Sequence, residues 1–128
     1  MRICIVGAGA MGSLFGGRLA AAGFEVVLLD TWAEHVAAMA AAGLRLDTPS
    51  GPLNVPVRAT TEAAGITGID AAIVQVNAHA TAEVAAGIAP MLAPGGVALT
   101  LQNGIGNVEA LAAALGADRV LALSLIHI

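Results

Sequence analysis

An apolar run, Ile3-Cys4-Ile5-Val6, empties directly into Gly7-Ala8-Gly9-Ala10-Met11-Gly12, and a helical pattern (Leu14, Phe15, Leu19, Ala20) starts at once. A strand handed to a helix through G-x-G-x-x-G opens a parallel β-α-β unit, and it commits the following chain to right-handed crossovers. The spacing has a chemical reason. Gly7 permits the tight turn out of the strand, Gly9 has no Cβ to hold a pyrophosphate away from the main chain, and Gly12 lets the helix lie close on the sheet. The first N–H groups of that helix then face the phosphates, and the helix dipole favours their charge. A second apolar run, Glu25 to Leu29, ends at Asp30, about 20 residues past the glycine turn, the offset of a carboxylate that grips a ribose. A dinucleotide site built from Gly7, Ala8, Gly9, Ala10, Met11, Gly12 and Asp30 is the expectation.

The remaining elements agree with that opening. Thr31 and Glu34 are spaced as a capping box ahead of Val36, Met39 and Ala40, with Gly43 as the stop. Leu44 to Asp47 and Leu53 to Val57 each alternate around the turn-rich Pro49-Ser50-Gly51-Pro52, which predicts a short β-hairpin whose prolines suit an edge. Thr60 to Gly68 reads as an irregular or helical link. A buried strand is expected over Ala71 to Val76, a helix from about Ala78 to Met91, a strand over Val97 to Leu101, a helix from about Asn107 to Leu115 and a last strand near Val120. Strands alternating with helices make this an α/β chain, a Rossmann-type doubly wound parallel sheet with a small inserted β-hairpin and ligands at the carboxyl edge.

Composition excludes several classes. The chain has 128 residues, enough for one domain with a core. Its hydrophobic content of 58% suggests a membrane protein. The long uncharged stretch Val84 to Val108 is, however, broken by Pro90, Pro94, Gly95 and Gly96, so no segment reads as a spanning helix. Net charge is −4, and the five basic residues, all arginine, are scattered, which argues against nucleic acid. The single Cys4 lies mid-strand and reads as a small buried apolar residue in a reducing, cytoplasmic compartment. No spacing of His, Cys, Asp or Glu suggests a metal site. His35 is expected on a solvated helix face, His79 near a helix start at the cofactor edge, and Trp32 beside the adenosine end.

With the N-terminal fingerprint, the hairpin after the second helix and the turn Asn103-Gly104-Ile105-Gly106 closing a strand, the chain resembles the ketopantoate reductase family. The resemblance covers essentially all of it and matches that family's N-terminal dinucleotide-binding domain. It implies NADPH-dependent reduction of a small 2-oxo acid, 2-dehydropantoate, in the route to pantothenate. It also implies that Asn103 is the active-site asparagine near nicotinamide and substrate, where an amide can both donate and accept.

Three departures from the family pattern follow. Asn77 stands where the family usually has a lysine, keeping hydrogen-bonding ability without the charge. Asp30 is followed by Thr31 and Trp32 rather than a basic residue, and a carboxylate favours ribose hydroxyls over a 2′-phosphate, so the residues favour NAD(H) where the resemblance implies NADP(H). The family's helical C-terminal domain, with the lysine that serves as general acid, is missing, and the chain contains no lysine.

The expected organisation is therefore a cofactor-binding domain over residues 1–123, a tail over residues 124–128 that does not match the family strand, and no substrate domain. By itself the fragment is expected to bind dinucleotide weakly and to be inactive. Two other readings stay open: a non-catalytic dinucleotide-sensing module, and a related dehydrogenase of another oxo acid.

Overall fold

A computed structural model describes residues 1–76, 84–100 and 107–122. In chain order these form β1 (Arg2–Val6), α1 (Ala10–Ala21), β2 (Glu25–Leu29), α2 (Ala33–Ala42), β3 (Leu44–Thr48), β4 (Gly51–Val55), β5 (Arg58–Thr60) and β6 (Ile69–Val74). A helical stretch over residues 84–88 (α3) follows. It runs into a 3-10 turn (Ala89–Met91), β7 (Leu92–Thr100), α4 (Asn107–Leu115), a second 3-10 turn (Ala117–Arg119) and β8 (Val120–Ala122).

Six strands make one sheet in the order β5-β2-β1-β6-β7-β8, every pairing parallel. The chain winds outward from β1 through β2 to β5, returns to the centre, and winds the other way through β6, β7 and β8. The reversal leaves β1 beside β6, and ligands of such sheets bind at the carboxyl ends of those two strands. Both faces are covered, as a parallel sheet requires. Ile3, Ile5, Val26, Leu28 and Ile73 pack with Val36 and Met39 of α2 and Leu19 and Ala20 of α1. Cys4, Val6, Val27, Ala72, Val74 and Ala98 pack on the other face with Ala85 and Ile88 of α3 and Leu111 and Leu115 of α4.

The hairpin is present as a separate antiparallel sheet, with Leu46 opposite Leu53. Leu44 and Leu46 are buried between exposed Arg45 and Asp47. A Cβ on Gly17 of α1 would lie 2.9 Å from Leu46 Cδ2, so the hairpin rests on the outside of α1.

Several expectations need correcting. The link expected over Thr60 to Gly68 begins inside β5 (Arg58–Thr60), which extends the main sheet beyond β2; three residues are too few to show a period. Strand β6 starts at Ile69 and ends at Val74 rather than spanning Ala71 to Val76. The helix expected to reach Met91 tightens into 3-10 geometry at Ala89, beside Pro90, which has no N–H to give. Strand β7 starts at Leu92, and its pairing with β6 jumps from Ile69–Leu92 to Ala71–Val97. The extra residues bulge at Gly95, φ +80°. Arg119 holds that bulge, donating from Nε to Gly96 O (3.1 Å) and from Nη2 to Ala93 O (3.0 Å). The capping box does not form either. The N-cap of α2 is Trp32 and no side chain caps it. Among the described residues no helix is long and apolar enough to cross a membrane, and no cluster of metal-ligating side chains occurs.

Cys4 is fully buried in the centre of the sheet, and desolvation pushes its thiol up to about 12. The raised value places its stability contribution below the unfolded thiol's value of 9.0, with loss as pH rises from there toward 12. The chain has no tyrosine, and its basic residues are all arginine, so no other side chain titrates in that window. Unfolding free energy should therefore fall by about 1.4 kcal/mol per pH unit above pH 9. In Cys4→Ala, measured by denaturant titration, that alkaline slope should vanish.

Candidate functional site

The site is built where the tips of β1, β2 and β6 meet. Gly7 donates its N–H to Leu29 O (2.8 Å), and Gln75 donates its N–H to Val6 O (2.8 Å), so the turn leaves β1 between its two neighbours. Gly7 has φ +97°, and a Cβ there would lie 2.9 Å from Gln75 O, so both conformation and space require glycine. Gly12 meets a harder limit. Its Cβ would lie 2.0 Å from Gly7 O and 3.2 Å from Ile5 Cγ2, so α1 rests on the turn main chain to main chain.

Gly9 is the N-cap of α1 in extended conformation, with no side-chain cap and no acidic residue in the first turn. The opening N–H groups of α1, starting with Ala10 and Met11, therefore have no carboxylate competing for them. A Cβ on Gly9 would meet no atom within 4 Å. The protein itself places no demand for glycine at that position; a ligand lying against the main chain would.

Asp30, half-buried at the tip of β2, accepts from Ala8 N at Oδ2 (2.9 Å) and from Trp32 N at Oδ1 (3.1 Å). The second bond satisfies the N–H of Trp32, the N-cap of α2, with a carboxylate from outside the helix. The next peptide is held through the Ala8 carbonyl, which accepts from Ser13 Oγ (2.8 Å) and from His35 Nε2 (2.9 Å). A carbonyl only accepts, so Nε2 of His35 carries the proton. The His35 ring lies 5.3 Å from that of Trp32, which is itself 63% exposed.

Beside Asp30, on the α3 face, a cleft of about 400 Å³ is lined by Leu29, Thr31, Ala63, Val76, Val84 and Met91. Its walls are apolar and its rim carries the carboxylate. No arginine serves this edge. Arg2 and Arg58 begin their strands, Arg18 is in the last turn of α1, Arg45 pairs with Asp47 on the hairpin, and Arg119 holds the β7 bulge.

The structure thus brings together Gly7, Ala8, Gly9, Ala10, Met11, Gly12 and Asp30. Asn77, His79 and Asn103 lie outside the described residues, as do residue 123 and the tail over residues 124–128. His35 is the correction: it is half-buried against the turn rather than on a solvated face. Its place in the first turn of a helix that begins three residues after Asp30 was the available signal. Gln75 was missed as well. Its Nε2 is buried without a hydrogen-bond partner, the one such side-chain atom among the described residues.

The model of the family described as ketopantoate reductase PanE/ApbA matches residues 3–127. The chain belongs to that family. The 2-dehydropantoate 2-reductase of Halobacterium salinarum is 35% identical over 99% of this chain and 42% of its own length. That of Pyrococcus abyssi is 40% identical over 85% of the chain and 35% of its own length. The chain therefore spans well under half of these curated relatives.

Among solved structures, the PanE/ApbA family ketopantoate reductase from Ralstonia eutropha superposes with TM-score 0.84 at 36% identity, covering 97% of this chain and 40% of that one. D-mandelate dehydrogenase, solved with NADH and anilino(oxo)acetate, superposes with TM-score 0.85 at 29% identity, covering 94% and 40%.

Two glycines separate fold from ligand. Gly12→Ala forces α1 off the turn and should lower stability by about 2–3 kcal/mol in thermal or denaturant unfolding. Gly9→Ala, whose new methyl meets nothing, should unfold within about 0.5 kcal/mol of the parent.

Proposed function

We propose that residues 1–123 are the cofactor-binding domain of a nicotinamide-dinucleotide-dependent reductase of a small 2-oxo acid, with 2-dehydropantoate the substrate and pantoate the product. Membership of the ketopantoate reductase PanE/ApbA family supports the reaction class. The observation that carries the cofactor half is the pairing of an uncapped α1 N-terminus with a carboxylate fixed at the tip of β2.

In this reading Gly7, Ala8, Gly9, Ala10, Met11 and Gly12 form the pyrophosphate turn, and Asp30 takes the adenosine ribose through its hydroxyls. The apolar cleft next to Asp30 takes the adenine. The bound cofactor supplies a hydride to the substrate carbonyl. Asn103 orients substrate and nicotinamide by donating and accepting through its amide, and Asn77 adds an uncharged hydrogen bond at the same edge. Reduction also needs a proton for the developing alkoxide. The chain has no lysine, the acid that the family resemblance implies, so in this reading the acid comes from a helical substrate domain beyond this chain, a division that fits the 42% and 35% coverage of the relatives. By itself this chain binds dinucleotide weakly and does not turn over.

Asp30 also sets the choice of cofactor. A carboxylate accepts from two ribose hydroxyls and repels a 2′-phosphate, and no arginine is near enough to offset the repulsion. NADH should bind roughly tenfold or more tightly than NADPH, a difference of about 1.4 kcal/mol. Titration of Trp32 fluorescence measures it, and Asp30→Asn should narrow the ratio; equal affinities in the parent chain would refute the role given to Asp30.

A second reading, a dehydrogenase of another oxo acid, is favoured by the likeness to D-mandelate dehydrogenase solved with NADH. Steady-state assay of a full-length protein carrying this chain, with 2-dehydropantoate and with aryl 2-oxo acids, decides between the two. Turnover of neither, with NADH still bound, would point to a dinucleotide sensor.

A further inference from the structure

Resting on the dinucleotide reading, we propose that Gln75 is a further cofactor-contacting residue: its buried Nε2 donates to an acceptor oxygen on the nicotinamide-side half of the bound dinucleotide, a ribose hydroxyl or the adjoining phosphate. Three observations converge on it.

The first is the orphaned donor. An unmade hydrogen bond on a buried amide costs about 1–3 kcal/mol, and such groups in native folds serve as strain reservoirs or as waiting ligands. The second is place. Gln75 follows the last residue of β6, its main chain pairs with Val6, and its carbonyl is what a Cβ on Gly7 would strike. It therefore flanks the glycine turn at the reversal point of the sheet. The third is face. Along β6 side chains alternate: Ile73 packs with the α1 and α2 cluster, whereas Val74 joins the α3 and α4 cluster and Val76 lines the apolar cleft. Gln75 shares the side of Ile73, the side of the α1 N-terminus and opposite the cleft assigned to adenine. A dinucleotide whose diphosphate crosses the sheet edge at Gly7 puts its second half on the side of Gln75.

The test uses opposite signs of effect. Gln75→Met keeps the volume and removes the donor. Without ligand its melting temperature should equal or exceed that of the parent, because an unsatisfied buried group is gone. Its affinity for NADH and for ADP-ribose, which keeps both phosphates and the second ribose, should fall by roughly three- to tenfold, the range of one hydrogen bond. Affinity for AMP, which lacks that half, should stay within twofold. Gln75→Glu, isosteric but without a donor, should lose NADH affinity at least as much.

Equal loss for AMP and NADH, unchanged NADH binding, or a drop in ligand-free melting temperature that tracks the binding loss would each overturn the assignment to Gln75 while leaving the dinucleotide reading intact. A parent chain that binds neither NADH nor ADP-ribose removes the dinucleotide reading, and this proposal with it.

Discussion

Main chain against main chain, Gly12 over the carbonyl of Gly7, is the contact on which the rest depends. It leaves no room for a methyl group and so fixes the point at which α1 can begin. The same closeness continues at Gly16, where a Cβ would come within 2.6 Å of Leu28 Cδ2. A helix seated that low presents its uncapped end at the carboxyl edge of the sheet rather than above it. Its partial positive charge is then delivered at the level where β1, β2 and β6 end. The hairpin exploits the same economy from outside, since Gly17 lets Leu46 close over the back of α1.

Holding the helix down would matter little if the turn ahead of it could drift, and the peptides on both sides of the Ala8 Cα are gripped to prevent that. Asp30 takes the Ala8 N–H, while Ser13 and His35 share the Ala8 carbonyl. The three anchors come from β2, α1 and α2, so the turn is tied to every element around it on that face. The cost is one donor. The Ala8 N–H is committed to a carboxylate, which leaves anion binding to the amides of the first turn of α1. Pre-positioning of this kind lowers the ordering cost that a ligand would otherwise meet.

How much of this was legible in the sequence follows from what each signal encodes. The continuous apolar runs of β1, β2 and β6 mark strands buried on both faces, and the alternation at Leu44 and Leu46 marks a hairpin with one buried face. Those patterns carry the fold. Bounds were legible to within a few residues, failing where the period breaks: β5 is too short to have one, and the β7 bulge places Pro94, Gly95 and Gly96 inside a strand where they read as a turn before it. The capping box failed because α2 starts one residue later than the pattern requires, with Trp32 rather than Thr31 as its N-cap, and Asp30 from outside the helix accepts from that N-cap N–H. The glycine turn and Asp30 were readable because their roles are local in sequence. His35 and Gln75 were not, since the bond from His35 to Ala8 and the isolation of Gln75 Nε2 depend on how separate elements stack.

Charge placement gives the site its character. The strands run parallel and the helices return, so a residue that begins a strand or ends α1 is at the edge away from the ligands. Arg2, Arg58 and Arg18 are all so placed. Arg119 is spent on the carbonyls of the β7 bulge and Arg45 on Asp47. Among the described residues no arginine reaches the glycine turn, so an anion there is met by donors that carry no formal charge and are fixed in direction, the main-chain N–H groups at the start of α1 foremost. The same arrangement makes Asp30 selective. Two like charges about 4 Å apart at a protein surface repel by up to about 4 kcal/mol, and with no guanidinium within reach nothing returns that energy to a ligand carrying an extra phosphate. A carboxylate that already holds Ala8 and Trp32 cannot swing aside without loosening the turn. Selectivity against the phosphorylated ribose is thus coupled to the rigidity of the phosphate-binding backbone itself.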